Sequence, residues 1–484
     1  MKRWVLVIGV VITIGVLVGG GCGGVGARVV NRVISDQLSV DSLNFKVFKW
    51  CTNGLPFVDK FEGLVTNKTY IVVLHNNREL RPTGGFMGSY VRLKFGEKGL
   101  SEMKVMDIYQ PDGQLPGHVE PPYPVQEAFG QGWWKLRDAN WDVDIASAAA
   151  SIAWFLEQGG EPAGGKVDGV VGINLDLFSK WLAAVSGVDV VTYGVFVDET
   201  NLYSLAQEYA ELNFKPGATN KRDFLGAVGA ALWEKTNNLK LIELIKLVEL
   251  LREELKKGQV WVWMRDPEIM KTIDEKKWSG RLDRGEGDYL YVVESNLGAN
   301  KANCCIERSV NQIIEKDNQT VTIDWKNTGK NENPKPPEFW GGNYVDYVRV
   351  MLPKEANIVS VSVSGKELRM AGEVDFAIPS SLRQGRSEDI YVVEQRDGPS
   401  AGSGQGLQIV GFWAVVKAGG ETEALITYST PPGPPPSLGG EVKGGYKVLR
   451  VNRQPGIESF PYKLIKNGEV IFDGIVDRQR DFGL

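Results

Sequence analysis

Apolar and polar positions repeat with two different periods along this chain, and the period changes near residue 285. Before that point, short apolar runs typical of buried strands alternate with segments whose apolar residues recur at helical spacing. The predicted strands span 70–74, 86–95, 103–109, 169–174 and 260–264, and the predicted helices span 145–157, 175–185, 221–235 and 239–257, with one more from Pro267. This alternation predicts an α/β domain.

After residue 285 the pattern changes to short strands separated by turn residues. The predicted strands span 289–294, 304–314, 319–325, 343–352, 358–363, 390–394, 407–416, 423–428, 446–451 and 462–465. Many short strands with turns between them are typical of a β-sandwich. The expected organisation is a transmembrane anchor at 1–26, a connector at 27–68, an α/β domain at 69–284 and an all-β sandwich domain at 285–484.

The N-terminal segment has the pattern of a membrane anchor. Two cations precede an apolar run, Trp4 to Val18, that continues through glycines to Val25. A helix of about 20 apolar residues crosses a bilayer, and leading cations favour a cytoplasmic N-terminus. We therefore expect a single-pass protein of the cell membrane whose domains after Ala27 are extracytoplasmic. A cleaved signal peptide and a lipoprotein acylated on Cys22 are the alternatives.

Composition narrows the classes of function. The chain has 484 residues and a net charge of −5, and its sequence has no basic stripe with interleaved aromatic residues, so nucleic-acid binding is not expected. Its four cysteines have neither the spacing of zinc ligands nor the density of a disulfide framework. Pairing of Cys51 with Cys304 or Cys305 and free buried thiols are both left open.

The two histidines of the chain limit acid–base catalysis. His75 follows the first predicted strand, but the sequence has no nucleophile elbow to pair with it, so we expect a structural histidine. His118 lies in a proline-rich segment and is expected at the surface.

Two clusters of polar and aromatic residues are candidate sites. The first is the loop between the first two strands, and its candidate residues are Asn77, Arg78, Glu79, Arg81, Thr83, Gly84 and Gly85. The second precedes the helix at 145 and contains Trp133, Trp134, Arg137, Asp138, Asn140, Trp141, Asp142 and Asp144. Aromatic rings with carboxylates and amides stack on sugar rings and bond their hydroxyls. The second cluster equally suits a packed loop in which Asp142 or Asp144 is a helix N-cap.

Five segments together resemble a family of bacterial single-pass envelope proteins of unknown function. They are NNRELRPTGGFMGSY, WKLRDANWDVDIASAAASIAWF, KVDGVVGINLDLFSKWLAAVSGVDV, KRDFLGAVGAAL and GDYLYVVESNLGANKANCCIER. The resemblance spans nearly the whole chain after the anchor. It implies an architecture more than an activity.

The segment VDGVVGINLDLFSKWLAAVSGVDV is also distantly similar to the LytR-CpsA-Psr phosphotransferases, which attach lipid-pyrophosphate-linked glycopolymers to peptidoglycan. That similarity implies a mixed sheet with flanking helices that holds a magnesium pyrophosphate. It would place Glu79 and Arg81 in the first site loop, Asp107 and Asp112 in the second, and Lys221, Arg222 and Asp223 at the last helix. The chain departs from that family where Arg81-Pro82-Thr83 stands in place of Arg-Ser-Asp and where the second loop lacks its arginine.

Two functions follow as hypotheses. In the first, the chain is a binding or scaffold module for cell-wall glycopolymer or partner proteins. In the second, it is a phosphotransferase that uses Mg²⁺ and acts on a polyprenyl-pyrophosphate lipid. Its catalytic residues would be Arg81, Glu79 and Arg222, and Asp107 and Asp112 would bind the metal. The substrate would be bound by the other candidate residues of the first loop, Asn77, Arg78, Thr83, Gly84 and Gly85, together with Arg137, Asp138 and Trp141. Convergence of Arg81, Arg222 and an acid in one pocket favours the enzyme, whereas an Arg81 locked in a salt bridge favours the binding module.

Overall fold

The computed structural model describes residue 64 and residues 66–484, except for the segments 98, 114, 163–164, 212–219, 240, 286, 317, 335–339, 373–374, 376–386, 397–405 and 431–447. The predicted anchor, Cys22 and Cys51 lie outside the described residues. Within the described residues, no helix is long and apolar enough to span a bilayer. The described residues divide into unit 1 (those up to residue 76, 87–117 and 145–281) and unit 2 (those of 77–86, 118–144 and 282–484).

Unit 1 is built on a mixed sheet. Its strands are β1 Thr69–Asn76, β2 Phe86–Gly96, β3 Gly99–Asp107, β4 Gly169–Asn174 and β7 Trp261–Met264, and a separate hairpin consists of β5 Val188–Val190 and β6 Val195–Val197. The sheet order among the described residues is β3-β2-β1-β4-β7. Strands β1 and β4 are parallel, whereas β2 and β3, and likewise β4 and β7, are antiparallel. The carboxyl ends of β1 and β4 therefore lie at the same edge, where His75 is opposite Asn174.

Helices connect and cover these strands. In chain order the helices are α1 Tyr109–Asp112, α2 Tyr123–Phe129, α3 Ile145–Gln158, α4 Leu175–Ala184, α5 Leu202–Glu211, α6 Asn220–Asn237, α7 Leu241–Lys256 and α8 Pro267–Glu275, of which α2 belongs to unit 2. Helix α4 starts directly after β4 because the Asn174 side chain accepts a hydrogen bond from the Leu177 N–H at 3.0 Å, which is an N-cap. Apolar residues of the sheet pack with Ile269 and Ile273 of α8 in one core.

Unit 2 contains two large sheets. Its strands are β8 Asp288–Val293, β9 Ile306–Glu315, β10 Asn318–Asn327, β11 Tyr344–Pro353, β12 Asn357–Val363, β13 Lys366–Glu367, β14 Arg369–Met370, β15 Ile390–Arg396, β16 Leu407–Val416, β17 Glu421–Ser429, β18 Val448–Asn452, β19 Phe460–Lys466, β20 Glu469–Val476 and β21 Arg480–Gly483. Among the described residues the sheet orders are β13-β12-β17-β10-β9-β19-β20 and β14-β15-β16-β11-β8-β18-β21. Alternate side chains of both sheets, such as Trp325, Val348 and Phe412, share one apolar core, as in a sandwich.

The other face of the second sheet is covered by residues 118–144. Tyr347 of β11 and Trp413 of β16 form an apolar cluster there, and Phe129 and Trp141 pack against it. Because these contacts lie on the face opposite the sandwich core, the sheet is buried on both sides, which explains why every residue of β11 is buried.

Polar contacts also hold residues 118–144 on this sheet. The Trp413 indole N–H donates to Glu127 at 2.8 Å. Arg396 at the end of β15 forms an ion pair with Asp142 at 2.5 Å, and Asp142 in turn accepts the Asp144 N–H at 2.8 Å. The segment is therefore tied to two different strands of the sheet.

The predicted combination of a mixed α/β part and a β-sheet part is confirmed, with local corrections. The strand predicted at 304–314 begins only at Ile306, because Ala302–Cys305 forms a 3₁₀ turn. Cys304 and Cys305 form a disulfide with each other, so the expectations of a Cys51 partner and of free thiols are both wrong for these two residues.

Other differences concern element ends and grouping. Strand β3 ends at Asp107 because its carboxylate accepts the Tyr109 N–H at 2.8 Å, where α1 begins. Strands β5, β6, β13, β14, β20 and β21 and helices α1, α2 and α5 were not predicted. Residues 77–86 and 118–144 group with unit 2, whereas the sequence placed them within 69–284.

Candidate functional site

The loop between β1 and β2, residues 77–86, is anchored in the core of unit 2. Leu80 packs in the apolar core between the two large sheets. Its N–H donates to the Asn303 side-chain oxygen at 2.9 Å, and its carbonyl accepts from the Asn296 N–H at 3.0 Å. The Asn303 N–H also donates to the Arg78 carbonyl at 3.2 Å. These bonds satisfy buried backbone groups and so contribute to the folding of unit 2.

Arg81 is enclosed by this loop. The residue is 2% exposed, and its guanidinium donates to the carbonyl oxygens of Leu80 (3.0 Å) and Asn296 and to the Glu79 carboxylate (3.1 Å). Burial raises the pKa of Glu79, and the neighbouring charge of Arg81 opposes that effect. Arg81 is therefore locked in a salt bridge, the arrangement that favours the binding module.

Asn140 joins the two sequence clusters. Its buried side-chain amide donates to the Thr83 hydroxyl at 3.0 Å and to the Gly85 carbonyl at 2.9 Å. Two motifs that are more than 50 residues apart in the sequence therefore share a buried pair of hydrogen bonds.

A third segment of unit 2 closes the loop from the other side. The Gln454 side chain donates to the Arg81 carbonyl at 3.0 Å, and the Asn77 side chain donates to the Gly456 carbonyl at 3.3 Å. Gly84 has φ +126°, and a Cβ added to Gly456 would lie 2.2 Å from the Gly84 carbonyl oxygen. The glycine pair predicted to bind a ligand thus also provides a close approach of two backbones.

The second sequence cluster, residues 133–144, contains residues that contact each other and one residue, Trp141, that lines a pocket described below. Arg137 forms an ion pair with Asp138 at 3.5 Å, and the Trp134 indole N–H donates to the Asp138 carbonyl at 3.1 Å. Trp133 is exposed and contacts the His118 ring, with 4.8 Å between the ring centroids. Trp141, at the end of the 3₁₀ segment Leu136–Trp141, lines the pocket.

This pocket has a volume of about 330 Å³ and lies in unit 2 between residues 118–144 and the outer face of the second sheet. Its lining residues are Pro122, Tyr123, Pro124, Trp141, Tyr347, Arg349, Val392 and Glu394. Arg349 of β11 is opposite Gly411 of β16, which is opposite Val392 of β15, so side chains at alternating positions of β11 and β15 share this face. Gly411 leaves room for the Tyr347 ring, since an added Cβ would lie 2.3 Å from its hydroxyl oxygen.

Arg349 is the buried charge of the pocket. It is 6% exposed, and its guanidinium carbon lies 4.1 Å from the centroid of the Trp141 ring. One guanidinium nitrogen donates to the Trp141 carbonyl at 2.9 Å and to the Ser295 hydroxyl at 3.4 Å. The Nε atom is buried and has no hydrogen-bond partner among the described residues, and Arg349 forms no ion pair with any of them. Burial lowers the pKa of Arg349, and the charges of Glu394 and Asp142 oppose that effect.

The remaining predicted site residues belong to unit 1. Asp107 accepts the Tyr109 N–H, and Asp112 lies in α1. Arg222 lies in α6, and its side chain is outside the described part of the structure. Carboxylates suit Mg²⁺, but no group of three His, Cys, Asp or Glu residues that could hold a metal occurs among the described residues. The metal role of Asp107 and Asp112 stays a prediction.

The two histidines lie as the sequence predicts. His75 is buried, its Nδ1 lies 3.2 Å from the Ile173 carbonyl oxygen, and its ring centroid is 5.6 Å from that of Trp261. Burial lowers the pKa of His75 to about 4, so the neutral ring is the form present near neutral pH. His118 is exposed.

The sequence did not identify four aromatic or charged residues of the pocket as site residues, namely Tyr123, Tyr347, Arg349 and Glu394. The segment YVDYVRVML contains one feature that could have identified Arg349. Arg349 stands among apolar residues of a strand, on the face opposite Val348 and Val350 of the core. A charge inside a buried strand is unusual and marks a paired or functional position.

Comparisons with known proteins describe part of this architecture. A family model described as a protein of unknown function (DUF4012) matches residues 66–210, which confirms the similarity to a family of unknown function for that part of the chain. No curated protein matches the chain.

Among solved structures, similarity extends to TagV of B. subtilis, with 17% identity, a TM-score of 0.27 and coverage of 44% of this chain and 81% of that one. TagT of B. subtilis is also similar, with 16% identity, a TM-score of 0.23 and coverage of 44% of this chain and 91% of that one. A LytR-Csp2A-Psr enzyme from Actinomyces oris has 9% identity, a TM-score of 0.26 and coverage of 44% of this chain and 76% of that one. The expected distant similarity is therefore found, but TM-scores below 0.5 carry no argument about activity.

Proposed function

We propose that this chain, whose residues 66–210 match a family of unknown function, is an extracytoplasmic binding module of the bacterial cell envelope that holds a sugar unit of a cell-wall glycopolymer. The observation that carries the proposal is the pocket of unit 2, whose lining includes three aromatic residues, a buried arginine and a carboxylate. Attachment to the membrane through residues 1–26 is part of the proposal.

The chemistry of the pocket suits a saccharide. The faces of aromatic rings accept the C–H surface of a sugar, and Tyr123, Trp141 and Tyr347 supply such rings. Arg349 supplies donors and Glu394 supplies acceptors for ring hydroxyls. The volume of about 330 Å³ falls within the range of roughly 300–1,000 Å³ that is typical of small-molecule sites.

The state of Arg81 supports a binding function over a catalytic one. Among the described residues, its guanidinium donates hydrogen bonds to two carbonyl oxygens and to the Glu79 carboxylate. A phosphate ligand would have to displace the Glu79 carboxylate from a buried pair, which costs free energy. The motif around Arg81 is therefore assigned to the folding of unit 2.

The proposal is tested by calorimetric titration of the full-length chain in detergent with glycopolymer released from the cell wall of the bacterium that carries it. We expect binding that is lost in Trp141→Ala and kept in Trp154→Ala, a matched tryptophan that is exposed on α3 of unit 1. Equal binding by the two variants would contradict the proposal.

The phosphotransferase hypothesis is tested in the same preparation. A polyprenyl-pyrophosphate analogue is titrated with and without Mg²⁺, and Arg81→Ala is compared with the unmodified chain. Binding that depends on Mg²⁺ and on Arg81 would restore the catalytic roles predicted for Arg81, Glu79 and Arg222.

A further inference from the structure

We infer that the sugar unit held in the pocket of unit 2 carries an anionic oxygen group, a carboxylate or a phosphate, and that this group pairs with Arg349. The inference rests on the proposed function and names the chemical class of its ligand. It concerns unit 2 alone, because every lining residue of the pocket belongs to that unit.

The first argument is that Arg349 has no carboxylate in direct contact among the described residues. The other arginines that hold residues in this region have carboxylate partners, since Arg396 pairs with Asp142 and Arg308 pairs with Glu294. Arg349 is buried but forms no ion pair at contact distance with a described residue, and the carboxylates of Glu394 and Asp142 act on it only from farther away. A buried charge without a partner is costly, and an anionic ligand would supply the missing charge.

The second argument is the hydrogen-bonding geometry of the guanidinium. Trp141 covers one face of the group, and one terminal nitrogen is already bonded to the Trp141 carbonyl. The other terminal nitrogen, Nη1, makes no hydrogen bond to a described residue and is not fully buried, so a donor remains beside the pocket. Arginine binds carboxylate and phosphate oxygens through adjacent donors, more strongly than it binds neutral hydroxyls.

Glu394 sets a second requirement on the ligand. It is exposed, whereas Arg349 is buried, so solvent screens the Glu394 charge more strongly. A ligand oriented with its anion toward Arg349 and its hydroxyls toward Glu394 satisfies both groups. The opposite orientation would place two negative charges together, so the pair also fixes the direction in which the sugar enters.

The test compares ligands that differ only in charge, titrated calorimetrically into the full-length chain in detergent. The carboxylate arm uses a short oligogalacturonate and its methyl ester, and the phosphate arm uses a glycosyl phosphate oligomer and the same oligosaccharide without phosphate. We expect the charged member of at least one pair to bind about tenfold or more tightly than its neutral partner, because charge-assisted bonds exceed neutral ones. The arm that shows the preference identifies the anion.

Variants then assign the preference to one residue. Arg349→Gln should abolish the difference between charged and neutral ligands, whereas Arg480→Gln, which removes an exposed arginine of the same unit, should keep it. If Arg349→Gln does not fold, the ligand comparison on the unmodified chain still decides.

The outcomes separate the inference from the function on which it rests. Equal affinity for charged and neutral saccharides, with binding still dependent on Trp141, would overturn the inference and leave the proposed function standing. Failure of every saccharide, including the released glycopolymer, would overturn both.

Discussion

The guanidinium of Arg349 lies over the indole of Trp141 at 4.1 Å and donates a hydrogen bond to the carbonyl of the same residue at 2.9 Å. One residue of the LRDANW motif is therefore fixed to strand β11 through both its ring and its backbone. Because the ring also packs near Tyr347, this contact links the covering segment to the outer face of the sheet.

This contact should be measurable as a coupling energy. We expect Trp141→Leu to lower the free energy of unfolding by about 1–3 kcal/mol, since a cation–π pair and a partly buried ring are lost. In a double-mutant cycle with Arg349→Met, the two changes should be non-additive by about 0.5–2 kcal/mol. Urea denaturation measures both values, and Trp133→Leu, at an exposed position, serves as the control. Simple additivity would show that the two residues do not stabilise each other.

Asn140 should be essential for the stability of unit 2. Asn140→Ala removes the donor to Thr83 and Gly85 and leaves buried acceptors without it, so we expect a loss of about 2–4 kcal/mol. Asn140→Asp has the same shape but presents oxygens to the Gly85 carbonyl, so it should not restore stability. The control is Asn318→Ala, an exposed position of β10, for which we expect a change below about 0.5 kcal/mol. If Asn140→Ala changes the free energy of unfolding only slightly, the hydrogen bonds of Asn140 do not stabilise unit 2.

Local patterns predicted most, but not all, of the strands and helices of this chain. The strand at 169–174 was predicted with the observed bounds because a buried apolar run is followed by Asn174, whose side chain caps the next helix. Strand β20 was not predicted because its apolar residues do not alternate with polar ones in the way that marks a strand with one buried face. Three of them, Val470, Ile471 and Ile475, are exposed in the structure.

The candidate site could be predicted only in part. Trp141 was identified because aromatic and polar residues cluster in its neighbourhood, but its partner Arg349 lies 208 residues later. No local period encodes such a pairing. For the same reason Arg81 was predicted in a ligand loop, since the carbonyl of Asn296 that accepts its hydrogen bond is 215 residues away.

Asp288 should make unit 2 less stable as pH rises. Burial raises the pKa of Asp288 to about 6, although hydrogen bonds from Gln319 and the Tyr289 N–H favour the charged form. Between about pH 4 and pH 6 the folded state therefore keeps a proton on Asp288 that the unfolded state has released. The contribution of Asp288 to the free energy of unfolding is complete below about pH 4 and falls by up to about 3 kcal/mol as pH rises through 6. Asp288→Asn should reduce this slope in urea unfolding between pH 4 and 7. An unchanged slope would show that Asp288 is not its source.

His75 should act on unit 1 with the opposite sign. Burial lowers the pKa of His75 to about 4. As pH falls, the unfolded chain therefore binds a proton at His75 near pH 6.5, whereas the folded unit binds it only near pH 4. Its contribution is present above about pH 6.5 and is lost, by up to about 3 kcal/mol, as pH falls toward 4. His75→Gln should flatten this loss, while Asp288→Asn should leave it unchanged. Hydrogen-exchange mass spectrometry in urea, read on peptides from β1 and from β8, follows each unit separately. If acid sensitivity of the β1 peptides persists in His75→Gln, another group of unit 1 is responsible for it.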